Sequence, residues 1–388
     1  MKAFSYYQPT RLFFGCGERH QAGTLIGSEA KKILFVAGPG LISAAPDMVQ
    51  DVRRSLSEAG VTFAEYDQVT PNPTLDEIQA GAEMAKKEGV EACLGMGGGS
   101  AIDTAKAIAV AATHPGTAWD YLYYKQTPTS KTLPIFAIST TAGTGTQTSK
   151  VSVFTNSTEK SKSAMWNDHL LCRAAIIDPE IMLTLPPRIT ASTGFDVFTH
   201  AFESLINVNS ITFVDLLALD AIARVIRSLP TVVKDGSDIE GRSDMAWADT
   251  LAGMCLANVG TTLPHAAGQP LSGHFPHVSH GESLAVIYPA FAEFTHPGAP
   301  VKFAQVARMF NPELETQSDE IAAAAFQGEI EAFLETIGQR CYLEDFGITK
   351  GSLEAVLEHA MEFPDHTVNP VQPTREDMWN IYLKSFRK

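Results

Sequence analysis

Phe195-Asp196-Val197-Phe198-Thr199-His200-Ala201-Phe202-Glu203 has helical character and sets an aspartate and a histidine four residues apart, so both side chains turn toward one point on a helix face. Further along come His265, His274, His277 and His280, four imidazoles within sixteen residues of a chain that holds 11. A single histidine is usually a satisfied core or surface residue. This clustering, together with a paired Asp and His, is the pattern of a metal centre. Imidazoles and one carboxylate without a thiolate suit a divalent ion such as Fe2+ or Zn2+ and not a closed structural zinc site, which favours cysteine. One carboxylate leaves the site a net cation, and an ion with an open position acts as a Lewis acid on a substrate oxygen.

A second set of residues suits phosphate binding. Gly97-Gly98-Gly99-Ser100-Ala101-Ile102-Asp103-Thr104-Ala105-Lys106 follows an apolar strand and opens a helix, where bare glycines let backbone N–H groups approach a pyrophosphate. Ser100 and Asp103 are expected to cap that helix. The spacing differs from the G-x-G-x-x-G fingerprint, so dinucleotide binding draws its support from Thr140-Thr141-Ala142-Gly143-Thr144-Gly145. That segment lies directly after another strand's C-terminal end, where ligands of open α/β sheets gather.

Both sets need a frame. The first half alternates short apolar runs with stretches of helical period, the signature of βαβ units and a parallel sheet. Lys32-Ile33-Leu34-Phe35-Val36 reads as a strand that runs into a turn at Gly38-Pro39-Gly40, followed by a helix from about Pro46. Thr74 and Glu77 form a capping-box signature, and Gly89 is the stop of that helix. Glu91-Ala92-Cys93-Leu94-Gly95-Met96 and Leu133-Pro134-Ile135-Phe136-Ala137-Ile138 are further strands. After Asp178-Pro179 the alternation fades, and residues 214–229 and 319–337 carry apolar residues at three- and four-residue spacing. The expectation is an α/β domain over residues 1–185 and an all-helical domain over 186–388.

At 388 residues the chain exceeds what one hydrophobic core usually supports. A net charge of −15 and no Lys/Arg-rich run argue against nucleic acid or an anionic membrane as partner and favour a small molecule. Five scattered cysteines, never in a C-x-x-C pair, read as reduced packing residues of a cytoplasmic protein. No 18-residue apolar run or signal-like N-terminus occurs, which predicts neither export nor a membrane span.

With these residues in hand, the chain resembles the iron-containing, group III alcohol dehydrogenases over nearly its whole length. The resemblance rests on Phe14-Gly15, Pro71-Asn72-Pro73-Thr74, the Gly97 to Ser100 run with Asp103 and Lys106, the threonine-glycine loop, Asp178-Pro179, the Asp196/His200 helix and His280-Gly281. It implies the dehydroquinate synthase-like fold of that family: an N-terminal dinucleotide-binding α/β domain with a parallel sheet and an all-α C-terminal domain. It implies a metal held by Asp196, His200, His265 and His280, with iron the family's ion and zinc or another divalent ion the alternative. It places Gly38, Asn72, Gly97, Gly98, Gly99, Ser100, Asp103, Thr140, Thr141, Thr144, Ser149 and Lys162 at the cofactor. The reaction implied is hydride transfer between a small alcohol and its aldehyde or ketone, by a homodimer or larger homo-oligomer.

The chain departs from the family at several points. A histidine commonly follows the third ligand by four residues, close to the substrate, and here that residue is Gln269. The interval from His265 to His280 is one residue longer than usual, so His274 and His277 are the candidates for the missing imidazole, in proton relay or in competition for the metal. Thr146-Gln147 replaces the family's Ser-Glu, and Asn369-Pro370-Val371 its Asn-Pro-Arg, which alters pocket polarity, while the extra imidazoles and Gln269 admit an anionic-tailed substrate. Gly38 stands where an acidic residue would hold the ribose hydroxyls, so both NAD and NADP are admitted. The alternative reactions are a dehydroquinate-synthase-like lyase using NAD and a divalent metal, and binding without turnover.

Overall fold

The computed structural model describes residues 3–122, 125–159 and 161–387. The chain forms two compact units. One holds Tyr7–Leu185 together with Gly236–Ala246; the other holds Pro186–Asp235, the residues from Trp247 onward and the N-terminal residues up to Tyr6.

The first unit is built on strands β1 (Arg11–Phe14), β2 (Lys32–Ala37), β3 (Thr62–Tyr66), β4 (Ala92–Gly97), β5 (Ile135–Ser139), β6 (Val151–Asn156), β7 (Ser161–Trp166) and β8 (Ala174–Ile177). Six of them form one parallel sheet in the order β1-β8-β5-β4-β2-β3, while β6 and β7 pair as an antiparallel hairpin. β4, β5 and β8 are buried along their whole length, which is why they read as continuous apolar runs without alternation. Ile33, Phe35, Leu94, Met96, Phe136, Ile138 and Ile176 pack against Val49, Val52 and Leu56 of the helix Pro46–Glu58. Sheet order turns back on itself at β2, which lies between β3 and β4. In parallel sheets a ligand crevice opens outside the carboxyl ends at such a reversal.

Local signals hold where they have a mechanism. Thr74 and Glu77 make the reciprocal capping bonds of the helix Leu75–Glu88, and Gly89 closes it in the left-handed conformation at φ 61°. The expected turn at Gly38 instead opens a short helix, Pro39–Ala44, because Pro39 presets helical φ at its first position. The β6–β7 hairpin carries no strong turn dipeptide and was not expected from the sequence. Nor was the return of Gly236–Ala246 to the first unit, where Arg242 donates to the carbonyls of Leu185 and Gly236.

In the second unit the helix Pro187–Ile206 is buried on every side from Phe195 onward. Phe195, Phe198 and Phe202 form a ridge along it, with ring centroids 5.9 and 5.7 Å apart, and Phe202 stacks on Phe326 at 4.7 Å. Such rings each bury 150–250 Å2 and dominate a core. Among the described residues no helix is long and apolar enough to cross a membrane. All five cysteines are free: Cys93, Cys172 and Cys255 are buried and Cys341 half-buried, whereas Cys16 is exposed and fills no packing position.

Candidate functional site

The buried helix Pro187–Ile206 carries three ionisable residues away from its aromatic ridge: Asp196 is 3% exposed, His200 5% and Glu203 0%. Burying such groups is costly unless they are paired or bind a cation. His265 lies in the first turn of the helix Leu263–His274, which Pro264 opens. His280 begins the helix His280–Thr295, fixed by a capping box between Ser279 and Glu282.

These elements bring four donors together. Asp196 Oδ1 stands 3.8 Å from His200 Nε2, 3.8 Å from His265 Nε2 and 3.7 Å from His280 Nε2. His200 Nε2 and His265 Nε2 are 3.1 Å apart. Ligands bound at about 2.1 Å to one ion are separated by roughly 3–3.5 Å, so these four pairs need only small closing movements. The donor set fits a divalent cation. Burial pushes the His200 imidazole below its ordinary pKa, with Asp196 opposing and His265 adding to the fall, which leaves the neutral ring a ligand requires.

Glu203 was not singled out from the sequence, although the signal was there: Asp196, His200 and Glu203 stand at i, i+4 and i+7, one face of one helix. Its Oε1 lies 2.8 Å from His265 Nδ1, and its Oε2 accepts the Thr262 N–H at 2.8 Å. Burial pushes the Glu203 carboxyl up to about 8, against the bonds from Thr262 and His265. A cation held by the neighbouring donors favours the ionised form.

The other histidines lie elsewhere. His274 is nine residues beyond His265 on the same helix, about 13 Å along its axis. Its Nε2 pairs with His359 Nδ1 at 2.9 Å. His277 is exposed and its Nε2 lies 3.0 Å from the Phe346 carbonyl. Neither joins the donor cluster. Gln269 shares the His265 face at i+4, and its buried Oε1 has no hydrogen-bond partner among the described residues.

In the first unit the proposed cofactor residues gather at the carboxyl ends of β2, β4 and β5. Gly38 follows β2, Gly97 ends β4, and Thr140 follows β5 with its N–H bonded to the Gly97 carbonyl. A Cβ on Gly99 would lie 2.5 Å from Thr144 Cγ2, so the threonine loop seats against bare backbone. Asn72 holds a left-handed φ of 56°, and its Oδ1 accepts from Lys162 Nζ at 2.9 Å.

Ser100 and Asp103 do not cap the helix Gly99–Ala111, because it starts earlier, with Gly98 at the N-cap position. Asp103 instead accepts from Thr146 Oγ1 at 2.5 Å and from the Val153 N–H at 3.0 Å. Lys106 is fully buried and donates to the carbonyls of Thr146, Ser149 and Val151 at 2.7, 2.8 and 2.9 Å. One helix turn thus holds the whole loop that contains Ser149. Replacing Lys106 by Met strands three buried carbonyls and is expected to cost about 3 kcal/mol or more, read as a lower urea midpoint. Unchanged stability would show that the lysine is dispensable to the loop.

The iron-containing alcohol dehydrogenase family matches residues 9–179, and the C-terminal domain of the Fe-containing alcohol dehydrogenase family matches residues 190–386. Alcohol dehydrogenase 4 of Saccharomyces cerevisiae is 34% identical over 384 residues, covering 98% of each chain. An alcohol dehydrogenase from an archaeal halo-thermophile of a Red Sea brine pool superimposes over the whole of both chains with a TM-score of 0.94 and 30% identity. The sulfoacetaldehyde reductase of Bifidobacterium kashiwanohense, solved in complex with NAD+, superimposes over 99% of each chain with a TM-score of 0.86 and 27% identity.

Proposed function

Because this chain belongs to the iron-containing alcohol dehydrogenase family and is an oxidoreductase acting on alcohols, we propose that Asp196, His200, His265 and His280 hold its metal, with Fe2+ first and Zn2+ or another divalent ion as alternatives. The observation that carries this is the convergence of Asp196, His265 and His280, whose ligand atoms all lie within 4.8 Å of one another, with His200 Nε2 3.8 Å from Asp196 Oδ1 and 3.1 Å from His265 Nε2. Bound there, the ion supplies Lewis acidity toward a substrate oxygen, and a nicotinamide supplies the hydride donor or acceptor. The lyase alternative is set aside, since the relatives that match along nearly the whole chain are named as dehydrogenases.

The chain's own contribution is positional. Asp196 provides the one negative charge among the four donors, and the buried helix keeps them in register. Residues 1–185 form the dinucleotide-binding part and residues 186–388 the metal-binding part of this reading. Gly38, Asn72, Gly97 to Ser100, Thr140, Thr141, Thr144, Ser149 and Lys162 line the cofactor. Asp103 supports that loop from behind. Gly38 offers no carboxylate against a 2′-phosphate, so NADP as well as NAD is accepted. Gln269 binds without moving a proton, since an amide does not titrate, and its NH2 is the group that can donate to an anionic tail. A short aldehyde with a carboxylate, sulfonate or phosphonate tail fits this neutral contact, a reading supported by the similarity to sulfoacetaldehyde reductase. Free cysteines support a cytoplasmic setting, and the family's habit supports a homodimer.

The test is anaerobic protein loaded with Fe2+ or Zn2+, given NADPH and then NADH, against short aldehydes with and without anionic tails. Metal-dependent loss of reduced-cofactor absorbance is expected. Silence across the panel, with metal and nucleotide demonstrably bound, overturns the reading, and equal efficiency on unsubstituted aldehydes removes its anionic-tail part.

A further inference from the structure

We propose that Glu203 is the positioning residue of this metal centre: its carboxylate fixes which nitrogen of His265 carries the proton and where the ring points. The inference rests on the metal assignment above. With a cation held by the neighbouring donors Glu203 is ionised and has no proton to give, so the 2.8 Å contact to His265 requires Nδ1–H as the donor, and the lone pair is left on Nε2. Nε2 is the atom that lies 3.8 Å from Asp196 Oδ1 and 3.1 Å from His200 Nε2. One side chain therefore sets the tautomer that a ligand needs.

The same carboxylate fixes the helix that carries His265. Thr262 occupies the N-cap position of Leu263–His274, and its N–H donates to Glu203 Oε2 at 2.8 Å. Thr262 Oγ1 approaches that oxygen at 3.4 Å. Next to it, Thr261 Oγ1 donates to Asp365 Oδ1 at 2.6 Å, a second hold on the same approach to the helix. Asp196, His200 and Glu203 share one face of Pro187–Ile206, so two donors and the group that aims a third are parts of one rigid element. Glutamine at this position cannot reproduce both contacts, because an amide that accepts from His265 with its oxygen turns its NH2 toward the Thr262 N–H.

The test is Glu203→Gln, with Zn2+ and Co2+ affinity measured by chelator competition and melting temperature measured on the metal-free protein. The expected result is metal binding weakened about 10–100-fold relative to wild type. A lower metal-free melting temperature with wild-type metal affinity reveals a packing role only and overturns the proposal. Absence of stoichiometric metal binding by the wild-type chain overturns the metal assignment itself. Should the variant fail to fold, proton NMR of the Co2+-loaded wild-type chain decides. A slowly exchanging, paramagnetically shifted Nδ1–H, missing in His265→Ala, is expected, and no such proton difference between the two overturns the proposal.

Discussion

Substituting alanine for His200 is expected to strip the protein of bound metal and to lower kcat/KM by at least ~10³-fold, equivalent to about 4 kcal/mol of lost transition-state stabilisation. His200 adds the fourth donor, 3.8 Å from Asp196 Oδ1 and 3.1 Å from His265 Nε2. Alanine leaves two imidazoles and one carboxylate, with one side of the ion open. The fold should survive, because the ring lies off the aromatic ridge that packs the helix. Metal that binds only the native state raises the melting temperature by mass action, so the wild type melts higher with Fe2+ or Zn2+ than without. In His200→Ala that difference should vanish while the metal-free melting temperature stays near wild type. Full turnover by a metal-free His200→Ala protein would falsify the assignment.

How much of this was legible from residues alone differs between the two units for a physical reason. A parallel strand buried on both faces must be apolar along its length, so β2, β4 and β5 were readable within two residues at each end. The capping box at Thr74 and the stop at Gly89 were equally direct, each being a local hydrogen-bonding pattern. The pair Asp196 and His200 followed from helical spacing. Which of the later histidines joins them did not, since His265 and His274 share one helix, His277 lies in the connection after it and His280 opens the next, and only packing decides the path between them. The resemblance, not the spacing, singled out His265 and His280. Asp103 and Lys106 lie in a motif read as phosphate-binding, yet their polar atoms turn inward to Thr146, Val153 and three loop carbonyls. Their contacts depend on residues forty or more positions away, a distance no local pattern reports. Glu203 was missed for the opposite reason. Its spacing was visible, but a glutamate in a helix is ordinarily a solvated residue, and only its complete burial shows otherwise.

Gly281→Ala should come close to His200→Ala in its effect without touching a ligand. A Cβ at this position would lie 2.2 Å from the Ser192 carbonyl oxygen and 2.5 Å from its Oγ. The nearest of these atoms is backbone of Pro187–Ile206, so no side-chain rotation relieves the clash, and the two helices must separate by about 1 Å to reach ordinary contact. Ser192 lies one turn before Asp196, and Gly281 directly follows His280. The separation therefore opens the 3.7 Å gap between Asp196 Oδ1 and His280 Nε2. Metal sites tolerate distance errors of only about 0.2 Å, and a 1 Å misplacement at a reacting centre can cost about 10²-fold. Overpacking alone is expected to cost about 1–3 kcal/mol of stability. The decisive comparison is with Gly328→Ala, at a glycine whose added Cβ meets nothing within 4 Å. Gly328→Ala should keep its metal and rate, whereas Gly281→Ala should bind metal more weakly and lose about 10²-fold in kcat/KM. Wild-type metal affinity in Gly281→Ala would mean that the helix His280–Thr295 is free to shift without carrying His280 off the site, and that the glycine after the last ligand serves packing alone.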